Sequence, residues 1–126
     1  MRKLLYIAIA ATTACTSPDP AQLAANTAER YYAYLLEGNY PAFVDAHYRP
    51  DSLPQSYRQQ LIDNAKMYIA QQKAERRGIK AVSIVGAKAD TARHTANVFL
   101  MLAYGDSTSE EIVVPMTQHQ GIWYLR

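Results

Sequence analysis

Residues 71–90 decide the fold, and they read QQKAERRGIKAVSIVGAKAD. Around Gly78 the spacing of apolar residues changes from the 3.6-residue period of a helix to the two-residue period of a strand. Lys73, Arg76 and Arg77 crowd the positions before Gly78, where cations oppose the negative end of a helix. Helices therefore precede Gly78 and strands follow it, and this order predicts one α+β domain.

The first helix is predicted between Asp19 and Gly38. Asp19 is a capping residue directly before Pro20, which suits the first helical position, and Gly38 suits the left-handed conformation that ends many helices. Apolar side chains recur on one face at spacings of four, three and four residues: Ala24, Ala28, Tyr31 and Leu35. The sequence therefore predicts an amphipathic helix here.

Two more helices are predicted before the strands begin. Asn39 is a cap for a short helix over residues 41–47. Ser52, followed three residues later by Gln55, fits a capping box that opens a third, long helix.

Four strands follow, predicted over residues 79–87, 95–104, 110–117 and 122–125. Residues 105–106 and 119–121 supply hairpin turns, so at least the last three strands form an antiparallel meander. Alternation on the second strand places one apolar set on the inner face of the sheet: Ala96, Val98, Leu100, Leu102 and Tyr104.

The N-terminus has the three parts of an export signal. Arg2 and Lys3 are cationic, residues 4–11 are apolar, and small residues follow as far as Ala14. The apolar run is far shorter than the roughly 20 residues that a membrane-spanning helix needs. We expect residues 1–14 to be a signal peptide, with a buried N-terminal strand or helix as the alternative.

Cys15 is the single cysteine of the chain and directly follows this segment. The segment resembles a bacterial lipoprotein signal, in which the cysteine sulfur receives a diacylglyceryl group and the new amine an acyl chain such as palmitate. Ala14 fits that pattern, whereas Thr12 stands where leucine is usual. The resemblance implies a lipidated tether over residues 15–20. Ordinary signal peptidase cleavage, which leaves a free thiol, is the alternative.

The position after the cysteine bears on location. Some bacteria place aspartate there to retain a lipoprotein in the inner membrane, and this chain has Thr16. The resemblance therefore implies a lipoprotein of the cell envelope at the outer membrane, on its periplasmic or its surface side.

Charge argues against a nucleic-acid partner. The chain has thirteen Lys plus Arg and eleven Asp plus Glu, and two of the cations, Arg2 and Lys3, lie in the predicted signal peptide. The remaining domain is balanced in charge, and its longest basic run is Arg76-Arg77. It lacks the basic stripe that binds a phosphate backbone.

Two segments resemble the nuclear transport factor 2-like (NTF2-like) superfamily. Residues 31–40 read YYAYLLEGNY, and residues 121–125 read GIWYL. They are similar to the small bacterial lipoproteins of that group, most of which are domains of unknown function, and the resemblance covers about residues 21–126. It implies three helices packed on a curved antiparallel sheet in a cone-like, cystatin-like roll. It says little about activity, because the fold hosts enzymes, ligand binders and assembly domains.

We expect a non-catalytic domain, without a cofactor, that binds a small apolar ligand or another envelope protein. Six aromatic side chains are expected between the helices and the sheet, where they either line a pocket or fill the core: Tyr31, Phe43, Tyr57, Tyr68, Tyr104 and Trp123. A purely structural envelope module is one alternative.

An enzyme similar to ketosteroid isomerase is the other alternative. That enzyme uses an Asp base, with a Tyr and a protonated Asp as hydrogen-bond donors. The best-placed acids here are Asp45, Asp90 and Asp106, of which the last two are expected in solvated turns. None of them matches a catalytic motif.

The three histidines do not predict a metal site. His47, His94 and His119 lie on different predicted elements, with no neighbouring cysteine or closely spaced carboxylate pair. Strand alternation makes His94 a candidate for the inner face of the sheet.

The outer face of the sheet is expected to be apolar in part. Alternation places Phe99 and Met101 on it, and the neighbouring strand adds Val113 and Pro115. An apolar patch flanked by polar residues is typical of a contact surface, and related folds often dimerise here, so a homodimer is expected. The alternatives are a reversed register or a patch covered by the C-terminal residues.

Overall fold

The computed structural model describes residues 19–126, so the predicted signal peptide and Cys15 lie outside the described residues. Three helices precede four strands: α1 (Pro20–Leu36), α2 (Tyr40–Asp45), α3 (Gln55–Arg76), β1 (Ile79–Asp90), β2 (Thr95–Tyr104), β3 (Ser109–His119) and β4 (Ile122–Leu125). The strands form one antiparallel sheet in the order β1-β2-β3-β4. The predicted α+β fold is confirmed.

Local sequence explains both ends of α1. The Asp19 carboxylate accepts a hydrogen bond from the Ala21 N–H at 3.3 Å, and Pro20 takes the first helical position. After the helix, Gly38 has a φ of 83°, which a residue with a side chain rarely adopts. Asn39 caps α2 through a 3.3 Å hydrogen bond from the Ala42 N–H.

The core lies between α1 and the inner face of the sheet. The predicted inner set of β2 is buried, and α1 faces it with three alanines, Ala24, Ala25 and Ala28, that are at most 1% exposed. Buried side chains from β3 and β4 complete the core: Val114, Met116, Trp123 and Leu125. The segment 19–126 therefore holds a core of its own.

The sheet is curved, and β1 shows one cause. The pairing of β1 with β2 shifts by a residue between Ile79 and Ala81 and again between Ile84 and Gly86. Such bulges bend a strand and increase its twist. Beyond the predicted end at residue 87, β1 continues to Asp90, which pairs with Thr95 of β2.

The predicted capping box of the third helix is wrong. Helix α3 begins at Gln55 with Pro54 as its cap residue, and no side chain caps it. Pro54 is extended, with φ −56° and ψ 142°. Leu53 precedes Pro54, and a residue before a proline avoids the helical conformation. A helix capped by Ser52 would need Leu53 to be helical, so α3 begins later, at Gln55.

The β2–β3 turn packs tightly on the C-terminal end of α3. Gly105 N–H donates to the Gly78 carbonyl at 2.8 Å, and Asp106 N–H donates to the Arg76 carbonyl at 3.0 Å. A Cβ on Gly105 would lie against the Arg77 carbonyl oxygen. Gly105 is therefore required for this close approach between two backbone segments.

We expect Gly105→Ala to lower the free energy of unfolding of segment 19–126 by about 1–3 kcal/mol, because a rigid backbone atom must move to admit the methyl group. Gly86→Ala is the matched control, since nothing lies within 4 Å of a Cβ at that position. Chemical denaturation of both variants measures the difference. Equal midpoints for Gly105→Ala and Gly86→Ala would contradict the packing described.

Candidate functional site

A cavity of about 420 Å³ opens between the three helices, and we call it the three-helix cavity. Apolar side chains from all three helices form most of its wall: Tyr32, Leu35, Phe43, Val44, Leu61, Ala65 and Tyr68. Three polar residues complete the lining, namely His47, Arg49 and Asn64. Small-molecule sites have volumes of about 300–1,000 Å³ and largely apolar walls with a few polar groups, and this cavity fits both criteria.

The cavity exists because α3 packs on the rest of the domain through few side chains. Ile62 and Ala65 are the buried residues of this 22-residue helix, and Ala65 occupies little volume. On the opposite wall, the rings of Tyr32 and Phe43 pack edge to face at 5.5 Å. Burial raises the pKa of Tyr32 to about 12, so its hydroxyl stays neutral and able to donate a hydrogen bond.

A second cavity of about 630 Å³ is more polar, and we call it the polar cleft. His47 and Arg49 line both cavities, so the two are neighbours. The Tyr48 ring forms an aromatic wall of the cleft with His119 at 5.2 Å and Tyr124 at 5.8 Å. Four charged side chains also line the cleft: Asp45, Arg49, Asp51 and Arg58.

Backbone pairing positions the residues that the two cavities share. Leu125 N–H donates to the Ala46 carbonyl at 2.9 Å, and Tyr48 N–H donates to the Leu125 carbonyl at 2.7 Å. These bonds form a parallel bridge between His47 and Leu125. The segment after α2 thus pairs with the outer edge of β4, which holds His47 and its neighbours against the rigid sheet.

His47 is held as a neutral ring. Its Nδ1 lies 3.1 Å from the Phe43 carbonyl oxygen and 3.3 Å from that of Val44. Because carbonyl oxygens only accept, Nδ1 is assigned the hydrogen and Nε2 is left as an acceptor. Burial lowers the pKa of His47 below its usual value, although the two carbonyls oppose this shift.

The cations of the polar cleft differ in their partners. Arg58 donates two hydrogen bonds to the Asp45 carboxylate, at 2.9 and 2.8 Å. This pairing holds the pKa of Asp45 below its usual value. Arg49 donates one hydrogen bond, to the Val44 carbonyl at 3.0 Å, and forms no ion pair with any residue of the described segment.

The six predicted pocket residues do not share one cavity. Phe43 and Tyr68 line the three-helix cavity. Tyr57 is 52% exposed on α3, whereas Tyr104 and Trp123 are buried in the core. Tyr31 bridges α1 to β4 by donating its hydroxyl to the Trp123 carbonyl at 2.6 Å.

Of the two alternatives for the space between the helices and the sheet, a pocket or a filled core, the structure has the filled core. The three alanines of α1 bring the helix so close to the sheet that side chains fill the space between them. The cavity opens instead between α1, α2 and α3. The buried indole N–H of Trp123 meets no hydrogen-bond acceptor among residues 19–126.

Of the remaining candidate acids and histidines, His119 lines the polar cleft, whereas Asp90, Asp106 and His94 line neither cavity. Asp90, the last residue of β1, pairs with Arg93 at 3.8 Å, and Asp106 in the β2–β3 turn accepts a 3.0 Å hydrogen bond from the Thr108 N–H. His94 is exposed in the β1–β2 turn with a φ of 54°, so its expected place on the inner face is wrong. Within residues 19–126, no three His, Cys, Asp or Glu side chains come together as ligands for a metal.

The predicted outer-face residues do share one face of the sheet. Phe99 pairs with Val113 across β2 and β3, and Met101 lies two residues further along β2. Val113 is 55% exposed, while Phe99 and Met101 are half-buried. A homodimer through this face stays a prediction.

No protein-family model matches this sequence, and no curated protein sequence does either. A solved structure from Campylobacter jejuni, named as an NTF2-like transpeptidase, superposes with a TM-score of 0.63. The match covers 79% of this chain and 94% of the other, at 10% sequence identity. The domain has an NTF2-like fold. At this identity the likeness extends to the fold alone.

Sequence reasoning missed Tyr32, which lines the three-helix cavity, and also His47 and Arg49, which line both cavities. Tyr32 carried a usable signal, since with Ala25 it forms a second apolar row on α1 beside the predicted face. The sequence pattern offers His47 only as a candidate metal ligand and carries no signal for Arg49. Their importance comes from the pairing with β4, which brings residues almost 80 positions apart into contact and has no local signal.

None of the helices described over residues 19–126 of this NTF2-like domain combines the length and apolar character needed to span a membrane.

The stability of the domain should fall as the pH drops below about 6.5, because of His47. Its pKa is lowered by burial, so the unfolded chain takes up a proton before the folded domain does. The stabilisation from neutral His47 is complete above the pKa that this histidine has in the unfolded chain. It is lost as the pH falls towards the lower pKa that His47 has in the folded domain. We expect the thermal midpoint to fall between about pH 7 and about pH 5, and to fall less in His47→Gln.

The matched control is His94→Asn, which replaces an exposed histidine by a residue that accepts the left-handed φ of that position. This control should keep the pH dependence of the unsubstituted domain. If His47→Gln shows the same pH dependence as the unsubstituted domain, His47 is not held neutral by burial.

Proposed function

We propose that this chain is a membrane-anchored envelope lipoprotein whose domain binds a small apolar ligand without chemical turnover. The observation that carries this proposal is the three-helix cavity, with apolar residues from all three helices and a few polar groups at one end. Its volume and lining are those of a ligand site. An NTF2-like fold is compatible with such a role and does not by itself select it.

The electrostatics favour binding over catalysis. A ketosteroid-isomerase-like reaction needs carboxyl groups in an apolar site, where desolvation raises the pKa. Asp45 was the best candidate, but its side chain is 57% exposed and its carboxylate is paired with Arg58, which lowers its pKa. Among the described residues that line the three-helix cavity there is no Asp or Glu.

The anchor is proposed at Cys15, which lies outside the described residues. Helix α1 begins at Pro20, so only residues 16–19 separate the cysteine from the domain. A tether of this length keeps the domain close to the membrane surface. Two or more acyl chains on Cys15 give stable anchoring, at about 0.8 kcal/mol per buried methylene group.

Filling the three-helix cavity should weaken ligand binding without unfolding the domain. Ala65 lines the cavity from α3, so Ala65→Leu places three more carbon atoms in the empty space. We expect at least a roughly tenfold loss of affinity for a neutral apolar fluorophore, N-phenyl-1-naphthylamine, measured by fluorescence titration. The thermal midpoint should stay the same or rise, since the added side chain buries apolar surface.

Ala74→Leu is the matched control, because Ala74 is an exposed residue of the same helix and lines neither cavity. This variant should bind the fluorophore as the unsubstituted domain does. Absence of binding by the unsubstituted domain would contradict the proposal in favour of a structural module. Strong destabilisation by Ala65→Leu would show that the cavity is already filled.

Mass spectrometry of the processed protein should find an acylated cysteine at the N-terminus, with a mass that corresponds to Cys15 carrying a diacylglyceryl group. The position and uniqueness of Cys15 motivate this prediction. In a Cys15→Ser variant the protein should be released from membranes. An unmodified thiol at Cys15, or an intact Met1, would contradict it.

A further inference from the structure

The two cavities meet at a boundary between apolar and polar surroundings. On one side, the three-helix cavity is walled mainly by aromatic and aliphatic side chains. On the other side, the polar cleft is walled by charged groups and by the rings of Tyr48 and Tyr124. Only His47 and Arg49 belong to both linings. A ligand that occupied both cavities would therefore change from apolar to polar at these two residues.

The charge at this boundary is positive. Asp45 lines the cleft, but its carboxylate is bound on both oxygens by Arg58. Asp51 lines the cleft and not the three-helix cavity. His47 is neutral, since burial lowers its pKa and both carbonyl contacts engage Nδ1. Arg49 is thus the charged residue at the boundary.

Arg49 has unused capacity for hydrogen bonding. A guanidinium group carries five N–H donors in a planar fork that matches carboxylate and phosphate oxygens. Within the described residues, Arg49 uses one of these nitrogens to bind the Val44 carbonyl at 3.0 Å. That bond fixes the side chain at the boundary and leaves the other donors for a ligand. The neighbouring His47 ring can accept a hydrogen bond at Nε2 from a hydroxyl or a protonated group of the same ligand.

We propose that the ligand is a single-chain amphiphile with an anionic head, whose chain lies in the three-helix cavity and whose head binds Arg49 in the polar cleft. This inference rests on the proposed function, because it requires the three-helix cavity to accept an apolar group. It adds the chemical class of the ligand and the residue that selects its head group.

Displacement of N-phenyl-1-naphthylamine from segment 19–126 by dodecanoate and by dodecanol tests the head group. The segment without its lipid is used because the detergent that holds a lipidated chain in solution would compete for the cavity. Dodecanoate should bind about tenfold or more tightly than dodecanol, as expected for hydrogen bonds to a charged group. In the series from octanoate to dodecanoate, affinity should rise by about fourfold per methylene group while the cavity fills.

Arg49→Met keeps the stem of the side chain and removes the charge, so it should bring the affinity for dodecanoate down to that for dodecanol. The affinity for dodecanol should change much less than that for dodecanoate, because an alcohol carries no charge to pair with Arg49. Arg49→Lys should keep part of the preference, because it retains the charge and loses the two-pronged fork. Arg30→Met, at an exposed position of α1 outside both cavities, should keep the full preference.

Each outcome separates this inference from the proposed function. If neither the fluorophore nor dodecanol binds, the proposed function fails. If both bind and the affinity for dodecanoate is no higher than that for dodecanol, the cavity is a ligand site and the proposal of an anionic head group is overturned. If folded Arg49→Met still prefers dodecanoate over dodecanol, the role of Arg49 is overturned. The same holds if Arg30→Met loses the preference as fully as Arg49→Met does. Tighter binding of dodecylammonium would assign the head group to Asp51 instead.

Discussion

Three alanines on one face of α1 allow the helix to lie directly on the inner face of the sheet. Ala24, Ala25 and Ala28 are at most 1% exposed, and they contact a layer of larger side chains that includes Leu100 and Met116. Methyl groups permit this close approach, and interiors packed to this density leave few voids. The space between helix and sheet, where a pocket is expected for this fold, is consequently filled.

The cavity arises because side chains become larger along α1. After Ala28, Tyr31 reaches the sheet and donates its hydroxyl to the Trp123 carbonyl, while Tyr32 turns towards α2 and packs on Phe43. The Tyr32 and Phe43 rings thus form the contact between α1 and α2 on one wall of the cavity. Helix α3 then closes the space with Ile62 and the small Ala65 as its buried residues. A tight helix–sheet contact and an open helix–helix space are therefore two results of one sequence pattern.

Local signals were sufficient to predict most of the fold. The caps at Asp19 and Asn39, the change of period at Gly78 and the inner set of β2 all appear in the structure. The start of α3 was misplaced because Pro54 overrides the capping pattern of Ser52. The site was predicted less well, since which aromatic residues share a cavity depends on how the helices approach one another. Tyr57 and Tyr68 lie on the same helix, yet only Tyr68 reaches the cavity.

A crystal structure of segment 19–126 grown with dodecanoate would test the central claim most directly, namely that the three-helix cavity is a ligand site ending at Arg49. The account predicts density for the chain between α1, α2 and α3, with the carboxylate within hydrogen-bond distance of the Arg49 guanidinium. Density for dodecanoate elsewhere on the domain, or a three-helix cavity closed by its own side chains, would contradict it.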